Sequence, residues 1–283
     1  MNVTVKALQR FLARQAGLAF EGDQLFMAES RLQPLVQSRG FPDITYLVAE
    51  LQRGVDPQLI RDAVEAMTTH ETFFYRDRTP FDQFRYVMLP KLMAARADAR
   101  RLRIWCTAAS TGQEAYSLAM LLDEEARKLA GWNIEILATD LSHAVIDIAR
   151  RGIYSQFEVQ RGLPITHLLR YFRRDGDAWQ LNEHIRARVD FRPLNLIHDF
   201  SRLGMFDVIF CRNVLIYLDK DVRGDVLARL LPRLAAGGYL ALGATETIGN
   251  AVPGLMPLAF HGSIGVRDAA MAQRPPVRLV AVR

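Results

Sequence analysis

Apolar positions set two different rhythms along this chain. Over the first ~65 residues they recur at helical spacing, as Leu8, Phe11 and Leu12, then Leu32, Leu35 and Val36, then Tyr46, Leu47, Val48 and Leu51. Asp56-Pro57 reads as a helix start. The aspartate can accept from free N–H groups, and proline fits the first helical position, where a missing N–H costs nothing. The helix it opens carries Leu59, Ile60, Val64 and Met67. No catalytic cluster falls in this stretch, which reads as a packing and docking module.

From Leu102 the rhythm changes. Short apolar runs at Leu102–Thr107, Ile134–Thr139, Phe206–Cys211 and Tyr239–Gly243 alternate with helical stretches at Glu114–Leu129, Ala144–Arg151 and Val222–Leu234. Such alternation predicts an α/β fold whose parallel sheet is covered on both faces. The rhythm breaks between Gly152 and Val189, where polar and basic residues surround the turn Asp175-Gly176-Asp177. A strand pair at Trp179–Leu181 and Ile185–Val189 would make this an inserted subdomain. No internal repeat is visible. The tail after about Ala270 holds Pro275-Pro276 and reads as a linker to a further C-terminal interaction domain, or as a frayed end.

Composition narrows the classes. At 283 residues, with 50% hydrophobic and 24% charged positions, the chain can bury a sizeable core. It has no apolar run of the ~20 residues that a bilayer requires, so direct membrane insertion is not expected. Lys6, Arg10 and Arg14 interrupt the N-terminal apolar residues, unlike a secretory signal, which makes a cytoplasmic location the default. Cys106 and Cys211 are too few for a disulfide framework or a zinc site, and no metal is expected; each ends an apolar run, as a buried thiol would. The net charge is +5, and between Met67 and Arg103 eight Lys/Arg stand against four Asp/Glu. A second basic excess lies around Arg151 to Arg192. Such surfaces suit an acidic protein partner or nucleic acid, although a solvated face accounts equally well for any single arginine.

Four segments carry candidate chemistry. Cys106-Thr-Ala-Ala-Ser-Thr-Gly112-Gln-Glu114 follows a predicted strand and opens a helix, the place where open α/β sheets bind ligands. Small residues there allow close backbone approach, and the helix start offers free N–H groups. A single glycine makes neither a phosphate loop nor a full dinucleotide fingerprint, and a plain tight turn fits as well. Asp140 ends the next strand, where an acid can accept both ribose hydroxyls of an adenosine; it could instead cap the next helix, a role open also to Ser142. Phe206–Cys211 runs into Arg212-Asn213, and Tyr217 follows four residues on. These polar groups should converge on a substrate, unless Tyr217 is simply buried against backbone. His70-Glu-Thr72-Phe-Phe-Tyr-Arg76 pairs aromatics with a cation suited to a carboxylate, but its composition also fits an ordinary helix–loop junction.

Taken in order, these segments resemble the CheR-type chemotaxis receptor methyltransferase family. The resemblance runs from about Val3 to Arg267 and rests on Thr68–Arg76, Ala109–Ser117, Ala138–Ser142, Arg192–Leu196 and Ile209–Tyr217. It implies an N-terminal helical domain (1–66), a linker and cofactor-covering segment (67–101) and a class I S-adenosylmethionine-dependent methyltransferase domain, Rossmann-like (102–270). A small inserted β-subdomain (about 153–190) and a tail (271–283) complete that plan. It further implies that His70, Thr72, Arg76, Glu114, Asp140, Asn195, Leu196, Arg212 and Asn213 surround S-adenosylmethionine, with the Gly112 loop among the cofactor-binding elements. Arg76 and Tyr217 are the positions it associates with the methyl-accepting end. The chain departs from the family pattern at His70, often Asn there, and at Gln113-Glu114-Ala115, often Glu-Glu-Pro there.

The chemistry so implied is methyl transfer to glutamate side chains on the cytoplasmic helical bundle of a methyl-accepting receptor, leaving S-adenosylhomocysteine. A glutamate is already an anion near neutral pH, so no strong general base is needed, and the motifs contain no acid–base pair. The stretch from Tyr171 to Phe191 looks shorter than in members whose β-subdomain docks a receptor-tail peptide, so tail docking is not expected. Other readings are an RNA or small-molecule methyltransferase on the same fold, a cofactor-binding scaffold without catalysis, and a nicotinamide oxidoreductase. The missing glycine fingerprint weighs against the last, and the absence of an aromatic–basic platform weighs against a nucleic-acid partner.

Overall fold

The computed structural model describes residues 2–19, 25–246, 254–258 and 261–268; the tail expected after residue 270 lies outside them. Four helices open the chain: α1 (Asn2–Ala16), α2 (Leu25–Ser38), α3 (Ile44–Arg53) and α4 (Pro57–Met67). Their apolar stripes meet in one cluster built on Leu8, Phe11, Leu12, Leu32, Leu47, Leu51, Leu59 and Val64. Asp56 caps α4 as its sequence predicts, accepting from the N–H groups of Gln58 at 2.8 Å and Leu59 at 3.0 Å. A helical stretch then leads to the sheet through α5 (Thr79–Gln83), one wide turn at Phe84–Met88, and α6 (Leu89–Ala95).

The main sheet draws on β1 (Arg101–Thr107), β2 (Asn133–Asp140), β6 (Val189–Pro193), β7 (Phe206–Cys211), β8 (Leu234–Leu242), β9 (Leu255–Leu258) and β10 (His261–Arg267), in the order β6-β2-β1-β7-β8-β10-β9. The first five are parallel, and β10 runs antiparallel between β8 and β9. Period-two alternation gives each face its own core. Ile104, Cys106, Ile136, Ala138, Val208 and Phe210 pack on one side, and Trp105, Leu137, Ile209, Cys211 and Leu240 on the other. The first side carries α7 (Gln113–Glu124) and α8 (His143–Arg151), whereas α12 (Lys220–Leu230) covers the second. This is the α/β class expected.

Between α8 and β6 the chain builds a separate three-stranded sheet, ordered β3 (Ile153–Ser155), β5 (Ala178–Leu181), β4 (Phe172–Asp175). The helices α9 (Gln156–Gln160), α10 (Ile165–Tyr171) and α11 (Glu183–Arg186) accompany it.

Two expectations need correction. Trp179–Leu181 does not pair with Ile185–Val189. The two-residue loop Gly176-Asp177 folds β5 back on β4, with Asp175 opposite Ala178. Ile185 is then left in α11, and Val189 begins the edge strand of the main sheet. The helix expected to reach Leu129 stops at Glu124. Asp123, Glu124 and Glu125 crowd its C-terminal end, where the helix dipole disfavours anions, and Arg85 and Lys128 take up the last two acids in a following turn.

Candidate active site

In the sheet order β6-β2-β1-β7, the chain leaves β1 for β2 and then β6 on one side, and crosses from β6 to β7 on the other. A crevice must therefore open beyond the carboxyl ends of β2, β1 and β7. A pocket lies there. Asp140 ends β2, the Ala108–Gly112 loop follows β1, and Arg212-Asn213 follow β7, so Asp140 and Arg212 stand roughly 10 Å apart, two strand spacings. The segment from Met67 to Arg76 crosses the opening, and Leu12, Ala16, Leu18, Met27 and Arg31 of the helical N-terminal part close it from above.

The structure brings into this pocket every residue singled out from the sequence, with one exception: His70, Thr72, Arg76, Glu114, Asp140, Asn195, Leu196, Arg212, Asn213 and Tyr217 all line it. Gly112 does not. Its φ is +95°, and a Cβ there would lie 3.0 Å from Ala149 and 3.1 Å from the Phe191 ring. The glycine lets the loop turn tightly and pack on α8 and β6, so its contribution to the pocket is indirect. The N-terminal helices, expected to serve packing and docking, also supply part of the pocket wall. Arg31 donates to the carbonyls of Met67 and Thr68 and to the Thr69 hydroxyl, fastening the crossing segment to α2.

At one end sits Asp140, buried, with one carboxylate oxygen accepting from the Ser110 N–H at 2.8 Å and the other from the Ser142 N–H at 3.0 Å. Ser142, not Asp140, caps α8 through its hydroxyl. Burial pushes the Asp140 carboxyl above the usual aspartate range, against the two N–H bonds and the nearby His70, which pull it down. The Ser110 hydroxyl donates to the His70 carbonyl at 2.7 Å, tying the crossing segment to the loop after β1.

At the other end, Arg212 is almost wholly enclosed. It donates to Glu114 at 2.7 Å and to Asp77 and the Arg76 carbonyl at 2.8 Å each. Burial raises the Glu114 carboxyl, and the Arg212 guanidinium opposes that rise. The Arg212 Nε remains a buried donor with no partner among the described residues. Arg76 donates to the Glu71 carbonyl at 2.7 Å and lies over the Phe73 ring. Asn195 spends both ends of its amide on backbone, donating to Gln15 of α1 and accepting from Ile197, so it braces the helical roof as well as lining the cavity. Tyr217 stands at the rim, 37% exposed, on a single turn whose backbone carbonyl accepts from Ala19.

Residues that the sequence reading passed over complete the frame. Asp77 pairs with Arg212, and the Ser110 N–H donates to Asp140. Glu246, buried just beyond β8, accepts from the N–H groups of Asn213, Ile216 and Gly243. Its position beyond a parallel strand, at the same end of the sheet as the others, was the available signal. Left-handed backbone at the non-glycine residues Tyr75, Asp77, Arg78, Ala108, Ser110 and Asn213 gathers around the same crevice. Such strain persists only where the surroundings over-determine it.

This donor set fits an adenosyl amino acid. A buried carboxylate faces the cavity where ribose hydroxyls would lie, and an enclosed acid–arginine pair with one free N–H suits the charged ends of an amino acid.

Comparison with known proteins agrees. Residues 70–257 match the family described as CheR methyltransferase, SAM binding domain. The chain is 39% identical over 255 residues to Chemotaxis protein methyltransferase 1 of Pseudomonas aeruginosa, covering 88% of this chain and 92% of that one. It is 38% identical over 242 residues to Chemotaxis protein methyltransferase 1 of Vibrio cholerae, covering 84% and 87%. Chemotaxis protein methyltransferase Cher2 of Pseudomonas putida is 36% identical over 256 residues, covering 89% and 92%.

Proposed function

The chain belongs to the CheR methyltransferase family, and on that basis we propose that it methylates glutamate side chains of a bacterial chemoreceptor-like protein, with S-adenosylmethionine as donor. The observation that carries this reading is the convergence of five separate sequence segments on one pocket, with a buried acid at one end and an enclosed acid–arginine pair at the other.

Within it, Asp140 accepts from the ribose hydroxyls, and Glu114 with Arg212 takes the amino-acid end. His70, Thr72, Leu196 and Asn213 shape the walls, and Asn195 holds the roof while lining the cavity. Bound S-adenosylmethionine supplies a methyl group made electrophilic by its sulfonium. The acceptor glutamate arrives ionised, so the protein's work is placement and the exclusion of water. Arg76 attracts the incoming carboxylate, and its bond to the Glu71 carbonyl fixes its direction. Tyr217, half-exposed at the rim, orients the acceptor through its hydroxyl. The apolar wall from Leu12, Ala16, Leu18 and Met27 keeps water from the reacting centre. We place the reaction in the cytoplasm, on the helical bundle of a methyl-accepting receptor. Among the described residues no helix is long and apolar enough to cross a membrane.

The test is transfer of labelled methyl from S-adenosylmethionine to membranes bearing chemoreceptors, followed by mild base. Glutamate methyl esters release volatile methanol under that treatment. Label that is stable to base, or that appears only in RNA or small molecules, would refute the acceptor assignment.

A further inference from the structure

Beyond the pocket wall, one buried acid has no place in the roles above. Glu246 follows β8 and is 6% exposed. One oxygen accepts from the Asn213 N–H at 2.9 Å and the Gly243 N–H at 2.7 Å, and the other from the Ile216 N–H at 3.2 Å. Three backbone donors from two chain segments thus close on a single carboxylate.

What this clamp holds is the segment that runs from β7 to the rim of the pocket. Asn213 sits at φ +55°, a left-handed conformation that asparagine visits more readily than most residues but that must still be held against the alternatives. The next turn, Leu215–Tyr217, is a single one with no side-chain cap. Neither feature is self-sustaining. Gly243 belongs to the same device, since a Cβ there would lie 2.7 Å from the Asn213 side-chain nitrogen, 2.8 Å from the Glu246 carboxylate and 2.9 Å from the Asn213 backbone nitrogen. Only a glycine lets the end of β8 come so close.

We propose that Glu246 is a positioning residue for methyl transfer: its carboxylate fixes the Asn213–Tyr217 turn and thereby aims Asn213 and Tyr217 into the pocket. The proposal rests on the methyl-transfer reading of that pocket. Glu246 itself touches neither substrate nor cofactor; it acts through backbone N–H groups. An amide of the same size cannot replace it, because glutamine offers one accepting oxygen and would point its own N–H₂ at one of the backbone donors.

The experiment compares the full chain with Glu246→Gln and Glu246→Asp by amide hydrogen exchange, S-adenosylhomocysteine calorimetry and turnover. In Glu246→Gln, exchange across residues 211–218 should rise about tenfold while β1 and α7 stay protected. Turnover should fall about tenfold or more, and by a clearly larger factor than S-adenosylhomocysteine affinity, which loses only what the Asn213 wall contributes. Glu246→Asp keeps the charge at shorter reach and should recover part of both. Unchanged exchange in 211–218 overturns the clamp, and raised exchange with normal turnover overturns the positioning role. Should Glu246→Gln fail to fold, Glu246→Asp carries the same two comparisons. If the unaltered protein transfers no methyl group, the functional reading fails, while exchange and calorimetry still decide whether Glu246 orders the turn.

Discussion

The Asp140 carboxylate is subject to opposite pulls. Burial favours its protonated form, whereas the Ser110 and Ser142 N–H groups favour the anion, and burial prevails. An acid whose value is raised in the folded chain keeps its proton where the unfolded chain has already shed it. It therefore supports folding at low pH, and that support is lost as the pH rises through the folded value. Glu114 has the same sign. Glu125, paired with Lys128 and Arg85, has the opposite sign: its contribution is present above the usual glutamate range and lost as the pH falls through the depressed value. A ribose bound to the Asp140 anion should accordingly weaken on acidification, starting above the ordinary aspartate range. Calorimetry of S-adenosylhomocysteine should show this, and Asp140→Asn should lower affinity about tenfold and flatten the pH dependence. An unaltered affinity in that variant would remove Asp140 from the cofactor site. Tyr217 calls for the reverse split. Tyr217→Phe should lower turnover with cofactor affinity nearly unchanged, and lost binding with normal turnover would contradict its place at the acceptor end.

The segment crossing the pocket owes its shape to the small inserted sheet and the helices beside it. Phe74 meets Tyr154 and Phe172 edge-on, Arg161 pairs with Glu71 and covers the Phe73 ring, and the Tyr75 hydroxyl bonds His167, whose other nitrogen meets Glu124. The exposed Arg161–Glu71 pair contributes little alone, about 1 kcal/mol at most. Gly162 matters more, because its φ is +82° and a Cβ there would lie 2.1 Å from the Phe74 carbonyl oxygen. Gly162→Ala should cost about 1–2 kcal/mol for the backbone conformation alone. The clash must in addition shift the segment carrying Thr72 and Arg76, so both the melting temperature and cofactor affinity should fall. A variant that melts and binds as the unaltered protein does would show that the insert does not hold this segment. None of these contacts was legible beforehand. The strands β1, β2, β7 and β8 were, since each is a short apolar run, and so was Asp56 as a cap, a local signal. Pairing within the insert turned on a two-residue loop whose partner strands the pattern left ambiguous. The roof of N-terminal helices depends on contacts between residues far apart in sequence, which leave no local mark, and Glu246 was marked only by its place beyond a parallel strand. The pocket residues were recognised as a set because their motifs occur in order; no single motif would have located the site.

At the scale of the whole molecule, charges divide by depth. The chain carries a net +5 at neutral pH, with 36 Lys/Arg against 31 Asp/Glu. Inside the pocket the strongest charges are paired and enclosed, Arg212 against Glu114 and Asp77, and such pairs are screened little by salt. Among the described residues, Lys/Arg such as Arg78, Lys91 and Arg100 are instead exposed, open to an acidic acceptor. Screening acts there, over a Debye length of about 10 Å at 0.1 M salt. These two depths predict different salt responses from one enzyme. Raising the salt from about 0.05 M to about 0.5 M should increase the KM for receptor several-fold, mainly through slower association, while S-adenosylhomocysteine affinity shifts less than about twofold. The two constants rising together would place the salt-sensitive charges in the cofactor pocket. A receptor KM indifferent to salt would mean that the basic surface does not guide the acceptor, and recognition would then have to rest on the apolar and hydrogen-bonding contacts around Tyr217 and the N-terminal helices.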